Sequence, residues 1–179
     1  MSSSKKVRLL ATGAAIAAMY AALTYLSAAM NLAYGPVQFR VSEALTVLPV
    51  FTPAAVPGLA LGCFISNLTS PFGVVDWVFG TLASFVAALG TLALSKVRFR
   101  GIPLLAPLPP VVANALIVGF ELCCFSDAGV FSLSNASLGG FLAGALSVGL
   151  GELAVCYALG VPLMMAIEKS GLNKLMAGT

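Results

Sequence analysis

The stretch KKVRLLATGAAIAAMYAALTYLSAAM, residues 5–30, decides how the rest of the chain is read. Lys5, Lys6 and Arg8 precede an apolar run from Leu9 to about Met30, which is also the layout of a signal peptide. The apolar region of a signal peptide covers about 7–15 residues, and this run is longer. Crossing the hydrocarbon core takes about 20 mostly apolar residues. The stretch therefore reads as a first transmembrane helix that stays attached.

Outward from it, the chain keeps the same character. Of 179 residues, 60% are hydrophobic and 8% charged, with a mean hydropathy of +1.04. A soluble domain carries roughly a quarter charged residues, because its surface faces water. Here the outside must face hydrocarbon, and the length suits one membrane domain, 1–179. Proline and glycine punctuate it: Thr52-Pro53 separates two segments, and Thr69-Ser70-Pro71-Phe72-Gly73 reads as a turn. The spacing predicts an all-α integral membrane protein of about six helices, near 7–31, 42–52, 54–69, 76–94, 103–124 and 138–168.

Charge placement orients these helices. Lys and Arg are retained on the cytoplasmic side of short loops. Lys5, Lys6 and Arg8 precede the first helix, Lys96, Arg98 and Arg100 follow the fourth, and Lys169 and Lys174 follow the sixth. Six helices put all three groups on one side, with both termini cytoplasmic; five or seven would split them. Only Arg40 is left outside. Glu43, Asp76, Glu121 and Asp127 then fall at or near external helix ends, Glu152 sits well inside the last helix, and Glu168 lies at its inner end.

The segment Tyr34-Gly35-Pro36-Val37-Gln38-Phe39-Arg40-Val41-Ser42-Glu43 interrupts the helices. Gly-Pro prevents continuation, and the period of two suits an extended strap with apolar residues down and polar ones up. Ser42 is suited to N-cap the next helix, with Glu43 near its positive end. Arg40 and Glu43 can simply pair in an external loop. The functional reading makes the strap a lid that brings Gln38 and Arg40 to a ligand.

Other polar residues point the same way. Asn114 and Glu121, seven apart, share a helix face, and polar groups inside a membrane usually face a bundle interior or a watery cavity. Asn114 can equally make an interhelical hydrogen bond, whereas Glu121 stands about one turn below the external end, where a solute would meet it. Asp76 can N-cap the fourth helix; beside Trp77 it also suits a flat, nitrogen-rich ligand, the ring stacking and the carboxylate accepting N–H donors. Ser66 and Asn67 border that region. Glu152, flanked by Gly149 and Gly151, can floor the cavity, titrate a proton or pair with Asn114. On the first helix, Ala11, Ala14, Ala15, Ala18 and Ala22 form a small-residue stripe, suited either to packing inside the bundle or to docking another membrane protein.

No phosphate-binding G-x-x-x-x-G-K-[ST] loop, no histidine and no catalytic set are present. Cys63, Cys123, Cys124 and Cys156 are scattered in apolar surroundings, so no metal, cofactor or enzyme activity is expected. A transporter with these absences needs either ion coupling or separate energising subunits.

The alanine stripe, the size and the six-helix topology resemble the substrate-capture (S) components of energy-coupling factor (ECF) transporters. The run Gly35-Pro36-Val37-Gln38-Phe39-Arg40-Val41-Ser42-Glu43-Ala44-Leu45 looks like the signature of the QueT family, and the Pro71-Phe72-Gly73 turn leading to Asp76 and Gly80 fits it. The loop with Cys123, Cys124 and Asp127 matches no motif of that family.

That resemblance implies capture of a queuosine precursor, a 7-deazaguanine derivative, at the plasma membrane of a prokaryote. It also implies docking of Ala14, Ala18 and Ala22, flanked by Ala11 and Ala15, on the transmembrane coupling subunit EcfT, driven by two ECF ATPases. The chemistry agrees. Such a base presents adjacent N–H donors to a carboxylate, and Glu43, Asp76 and Glu121 supply acids while Gln38 and Arg40 suit its carbonyl oxygen. The alternatives are an S component for another vitamin and a small ion-coupled transporter or channel.

Overall fold

Residues 9–29 hold one glycine and no proline, so little opposes a helix there. In the computed structural model, which describes residues 3–33, 37–126 and 128–177, α1 runs Ser3–Ala29. Asn31, in a left-handed conformation at φ 57°, ends it. A 3₁₀ helix follows at Val41–Val50, then α2 (Ala55–Asn67), α3 (Val74–Leu94), α4 (Leu108–Cys123) and α5 (Leu138–Val155). A π turn, Cys156–Gly160, joins α5 to α6 (Val161–Ser170), and α7 is Leu172–Ala177. Among the described residues there is no strand, only the isolated bridges Phe99–Ile102 and Phe125–Phe131.

The helices fall close to the expected segments, with instructive departures. The second, expected at 42–52, is a 3₁₀ rather than an α-helix. Pro49 lies inside it and cannot donate a backbone hydrogen bond. With three residues per turn, Glu43 and Thr46 stack on one side. The fifth starts at Leu108, not 103, because Pro103 and Pro107 hold the preceding chain out of helix, while Pro109 and Pro110 fit a first turn that needs no donors. The sixth is interrupted by the π turn.

Among the described residues, three stretches are long and apolar enough to cross a membrane: Ser3–Ala29, Val74–Leu94 and Leu138–Ser170. Val41–Val50 and α2 are shorter; at about 1.5 Å per residue, α2 covers only about two thirds of a ~30 Å core. These two form a helical hairpin whose tip, at Ala54, packs on Gly13 in the first half of α1. The chain then climbs alongside α1. A Cβ on Gly58 would lie 2.7 Å from the Gly13 carbonyl oxygen, and one on Gly62 would lie 2.8 Å from that of Ala17. Only glycine permits so close a seam, and van der Waals packing of this kind is what holds helices together in lipid. On the far side α4 and α5 cross equally closely, at Gly119 and Gly144.

The polarity of the bundle is inverted relative to a soluble protein. Leu10, Val78, Leu116, Leu146 and Leu150 are exposed, while Arg40, Glu43, Asp76, Glu121 and Glu152 are buried. The alanine stripe is on the outside: Ala11, Ala14, Ala15, Ala18 and Ala22 are all exposed, and the small residues of α1 that pack inward are Gly13, Ala17 and Ala21.

Basic residues gather at one end. Arg98 pairs with Glu168 across the α3–α4 connection and α6 at 2.7 Å. An apolar groove of about 520 Å³ lined by Arg8, Ile16, Leu45, Leu163, Leu172 and Met176 brings the first turns of α1 to α7 there.

Candidate ligand-binding site

The inner face of α1 carries polar residues three and four apart: Tyr20, Thr24 and Ser27, all buried. They fasten the strap and the 3₁₀ helix. Tyr20 donates to Oε1 of Glu43, Thr24 donates to the Ser42 hydroxyl at 2.7 Å, and the Ser27 hydroxyl accepts from Val41 N at 3.0 Å. Ser42 is therefore tied to α1 rather than capping its own helix; Arg40 occupies the N-cap position and makes no side-chain cap bond. The strap does alternate, but with the opposite sense to that expected: Gln38 and Arg40 turn into the protein, and Val37 and Phe39 turn out. Tyr34, Gly35 and Pro36 lie outside the described residues, as does Asp127.

Arg40 meets Asp76 rather than Glu43. Its Nη2 stands 3.8 Å from Asp76 Oδ2, its Nη1 reaches Asn67 Oδ1 at 3.5 Å, and its Nε donates to the Ala33 carbonyl at 3.3 Å. Asn67 closes the triangle by donating from Nδ2 to the Asp76 carbonyl at 3.0 Å and to Oδ1 at 3.3 Å. Asp76 is thus not an N-cap: Gly73, at φ 62°, holds that position, and Asp76 looks inward from the first turn of α3. Gly80 makes room for the pair, since a Cβ there would lie 2.4 Å from Asn67 Nδ2. Burial opposes the Arg40 charge, but Asp76 above all the other neighbours outweighs it and raises the pKa of this residue, which lies between the helices. The guanidinium stays positive.

Two further carboxylates complete the site. Glu121 on α4 is fully buried, both its oxygens lack a hydrogen-bond partner, and Asp76 and Arg40 are within electrostatic reach. Glu152 on α5 feels Glu43 and Arg40, and the Asn114 amide lies beside it with Nδ2 buried and short of a full hydrogen bond. Cys156, in the π turn, stands 3.4 Å from Glu152 Oε2, 3.6 Å from Thr46 Oγ1 and 3.7 Å from the Glu43 carbonyl. The structure therefore brings Gln38, Arg40, Glu43, Asn67, Asp76, Asn114, Glu121 and Glu152 into the interior, four acids around one guanidinium. Trp77 is apart from this set: it is half-buried and packs edge-on against Phe64, 6.4 Å between centroids. Phe72, Phe125, Phe131, Phe79 and Phe120 form a chain of ring contacts at the α4 end near Glu121.

Sequence reasoning missed Tyr20 and Cys156. Tyr20 was legible in the Tyr20/Thr24/Ser27 spacing, because polar groups on a membrane helix turn inward. Cys156 carried no signal of its own.

The strap is seated on α5 by glycine. A Cβ at Gly151 would lie 2.0 Å from the Gln38 carbonyl oxygen, a contact no side chain can make. Gly151→Ala should lift the strap and its Gln38 and Arg40 while α5 stays helical. We expect the folded variant to lose roughly tenfold or more in ligand affinity, about 1.4 kcal/mol, as read by calorimetry. Parental affinity would mean the strap takes no part in binding.

A helical bundle with an apolar exterior and an enclosed, acid-rich interior defines an integral membrane protein with a buried polar site. More particularly, the chain belongs to the QueT transporter family, whose model matches residues 10–169. It is 38% identical over 88 residues to the queuosine precursor transporter QueT of Lactococcus lactis subsp. cremoris (strain MG1363), a match covering 49% of this chain and 52% of that protein. The matched stretch thus spans about half the length of that curated relative. No solved structure matches the chain.

Proposed function

We propose that this protein is the substrate-capture component of an ECF-type importer, taking a 7-deazaguanine precursor of queuosine from outside the cell. The observation that carries the reading is Glu121: a fully buried carboxylate with neither oxygen bonded, in a chain of the QueT transporter family. A buried carboxyl group with neither oxygen bonded is costly, and two adjacent N–H donors of a deazaguanine would satisfy both oxygens at once. Arg40, with Gln38 beside it on the strap, faces the carbonyl oxygen. Asp76 and Asn67 hold Arg40, and Asn114, Glu152 and Glu43 form the floor.

In this reading six helical segments form one domain with both termini in the cytoplasm. The gathering of Arg8, Arg98 and Glu168 at one end supports that orientation. The exposed alanines of α1 would meet a transmembrane coupling subunit of the EcfT type, with two ATPases supplying energy, in the plasma membrane of a prokaryote. Calorimetry of the purified chain with 7-deazaguanine derivatives tests the ligand. Failure of every such derivative to bind, with another compound found by mass spectrometry of the purified protein, would overturn it.

A further inference from the structure

The apolar groove of about 520 Å³ at the basic end of the bundle lies apart from the polar site. One edge is α1, which presents Arg8, Thr12, Ala15 and Met19 to it; steps of four, three and four residues keep them in line along the helix. The opposite edge is Leu163 and Ile167 of α6 with Leu172 and Leu175 of α7, and Leu45 and Leu48 of the 3₁₀ helix floor it. Ala15, Met19, Leu172 and Leu175 are exposed, so the groove opens to the surroundings of the bundle rather than into its interior. From Arg8 to Met19 the helix rises about 16 Å, at about 1.5 Å per residue. Half of a ~30 Å hydrocarbon core is about 15 Å. The groove therefore runs the depth of one leaflet, apolar along its length, with a guanidinium at its outer mouth. That charge is unopposed: no acid lines the groove, and Glu168, at the same end, is paired with Arg98 at 2.7 Å. By contrast, a smaller groove of about 340 Å³ between α1 and α2 is lined by no charged residue.

We infer that this groove seats one acyl chain of an anionic phospholipid, whose phosphate lies against Arg8. Hydrocarbon matches the lining, and a guanidinium presents paired N–H donors to phosphate oxygens. Basic side chains near a membrane surface also draw anionic lipids toward them. A zwitterionic lipid with the same chains fills the groove equally well but carries its own cation, which opposes Arg8. A spanning helix of another protein would run about twice this depth, so a lipid tail and head fit the groove better than a partner's helix does.

The test is native mass spectrometry of the purified full chain given equal amounts of phosphatidylglycerol and phosphatidylcholine with identical chains. The parent should retain one phosphatidylglycerol, preferred roughly tenfold over phosphatidylcholine. Arg8→Gln should bring that preference close to unity. Lys6→Gln removes a charge from the same turn but does not line the groove, and should keep most of the preference. Ala15→Trp, which fills the groove from its exposed edge, should release both lipids. A parent without preference would overturn the site. So would equal losses in Lys6→Gln and Arg8→Gln, the mark of diffuse charge at this end of the bundle. Retention unchanged by Ala15→Trp would also overturn it, by placing the acyl chain elsewhere.

Discussion

An Ala18→Trp chain should bind ligand as the parent does and import none of it. Ala18 is exposed at the centre of a row that also exposes Ala11, Ala14, Ala15 and Ala22. The seam that α1 makes within the molecule lies elsewhere, at Gly13 and Ala17 against Gly58 and Gly62. A Trp at position 18 therefore has no internal neighbour to displace, and in lipid alone it is harmless. Against another membrane helix it is prohibitive, because such contacts depend on small residues that let backbones approach. Uptake by cells expressing the variant with the proposed energising subunits should fall to background, while calorimetry on the purified variant gives parental affinity. Normal uptake would mean that nothing docks on this row.

That row shows what sequence could and could not tell. The 3–4 spacing of alanines was plain, but small residues serve internal seams and external docking equally well. Only the burial of Gly13 and Ala17, one step around the helix, separates the two. Helix positions were legible because an apolar run of membrane length admits few readings, and because prolines 53, 71, 103 and 107 break the chain where it turns. The 3₁₀ form of residues 41–50 was not legible, since apolar spacing over ten residues fits either helix type.

The acids were legible as a set, because a carboxylate inside a membrane segment is expensive and calls for a partner. Their pairing was not. Arg40 lies three residues from Glu43, so proximity in sequence favoured that pair. The fold instead swings Arg40 onto Asp76 and Asn67, from the other side of the bundle, and gives Glu43 to Tyr20. Neither contact has a local signature: one depends on the 3₁₀ helix docking on α1, the other on α2 and α3 packing together beside the strap.

Glu121→Gln should weaken deazaguanine binding by roughly 100-fold or more, at about 1.4 kcal/mol per tenfold. Of the four buried acids, only Glu121 has no bond at either oxygen. Asp76 is committed to Arg40 and Asn67, Glu43 to Tyr20, and Glu152 to Cys156. An amide of the same size turns one acceptor into a donor, which would face an N–H of the ligand and strand it in a dry site, a loss of about 1–3 kcal/mol or more for a charge-assisted contact. The same change removes a buried carboxyl group whose two oxygens have no partner in the empty protein, so the ligand-free variant should melt no lower than the parent. Asp76→Asn differs on both counts. It leaves Arg40 without its anion, so the empty protein should be less stable, and binding should suffer mainly through the displaced guanidinium. Calorimetry and thermal unfolding of the two purified variants separate these outcomes. Parental binding by Glu121→Gln together with failure of Asp76→Asn would move the ligand's N–H edge from α4 to α3.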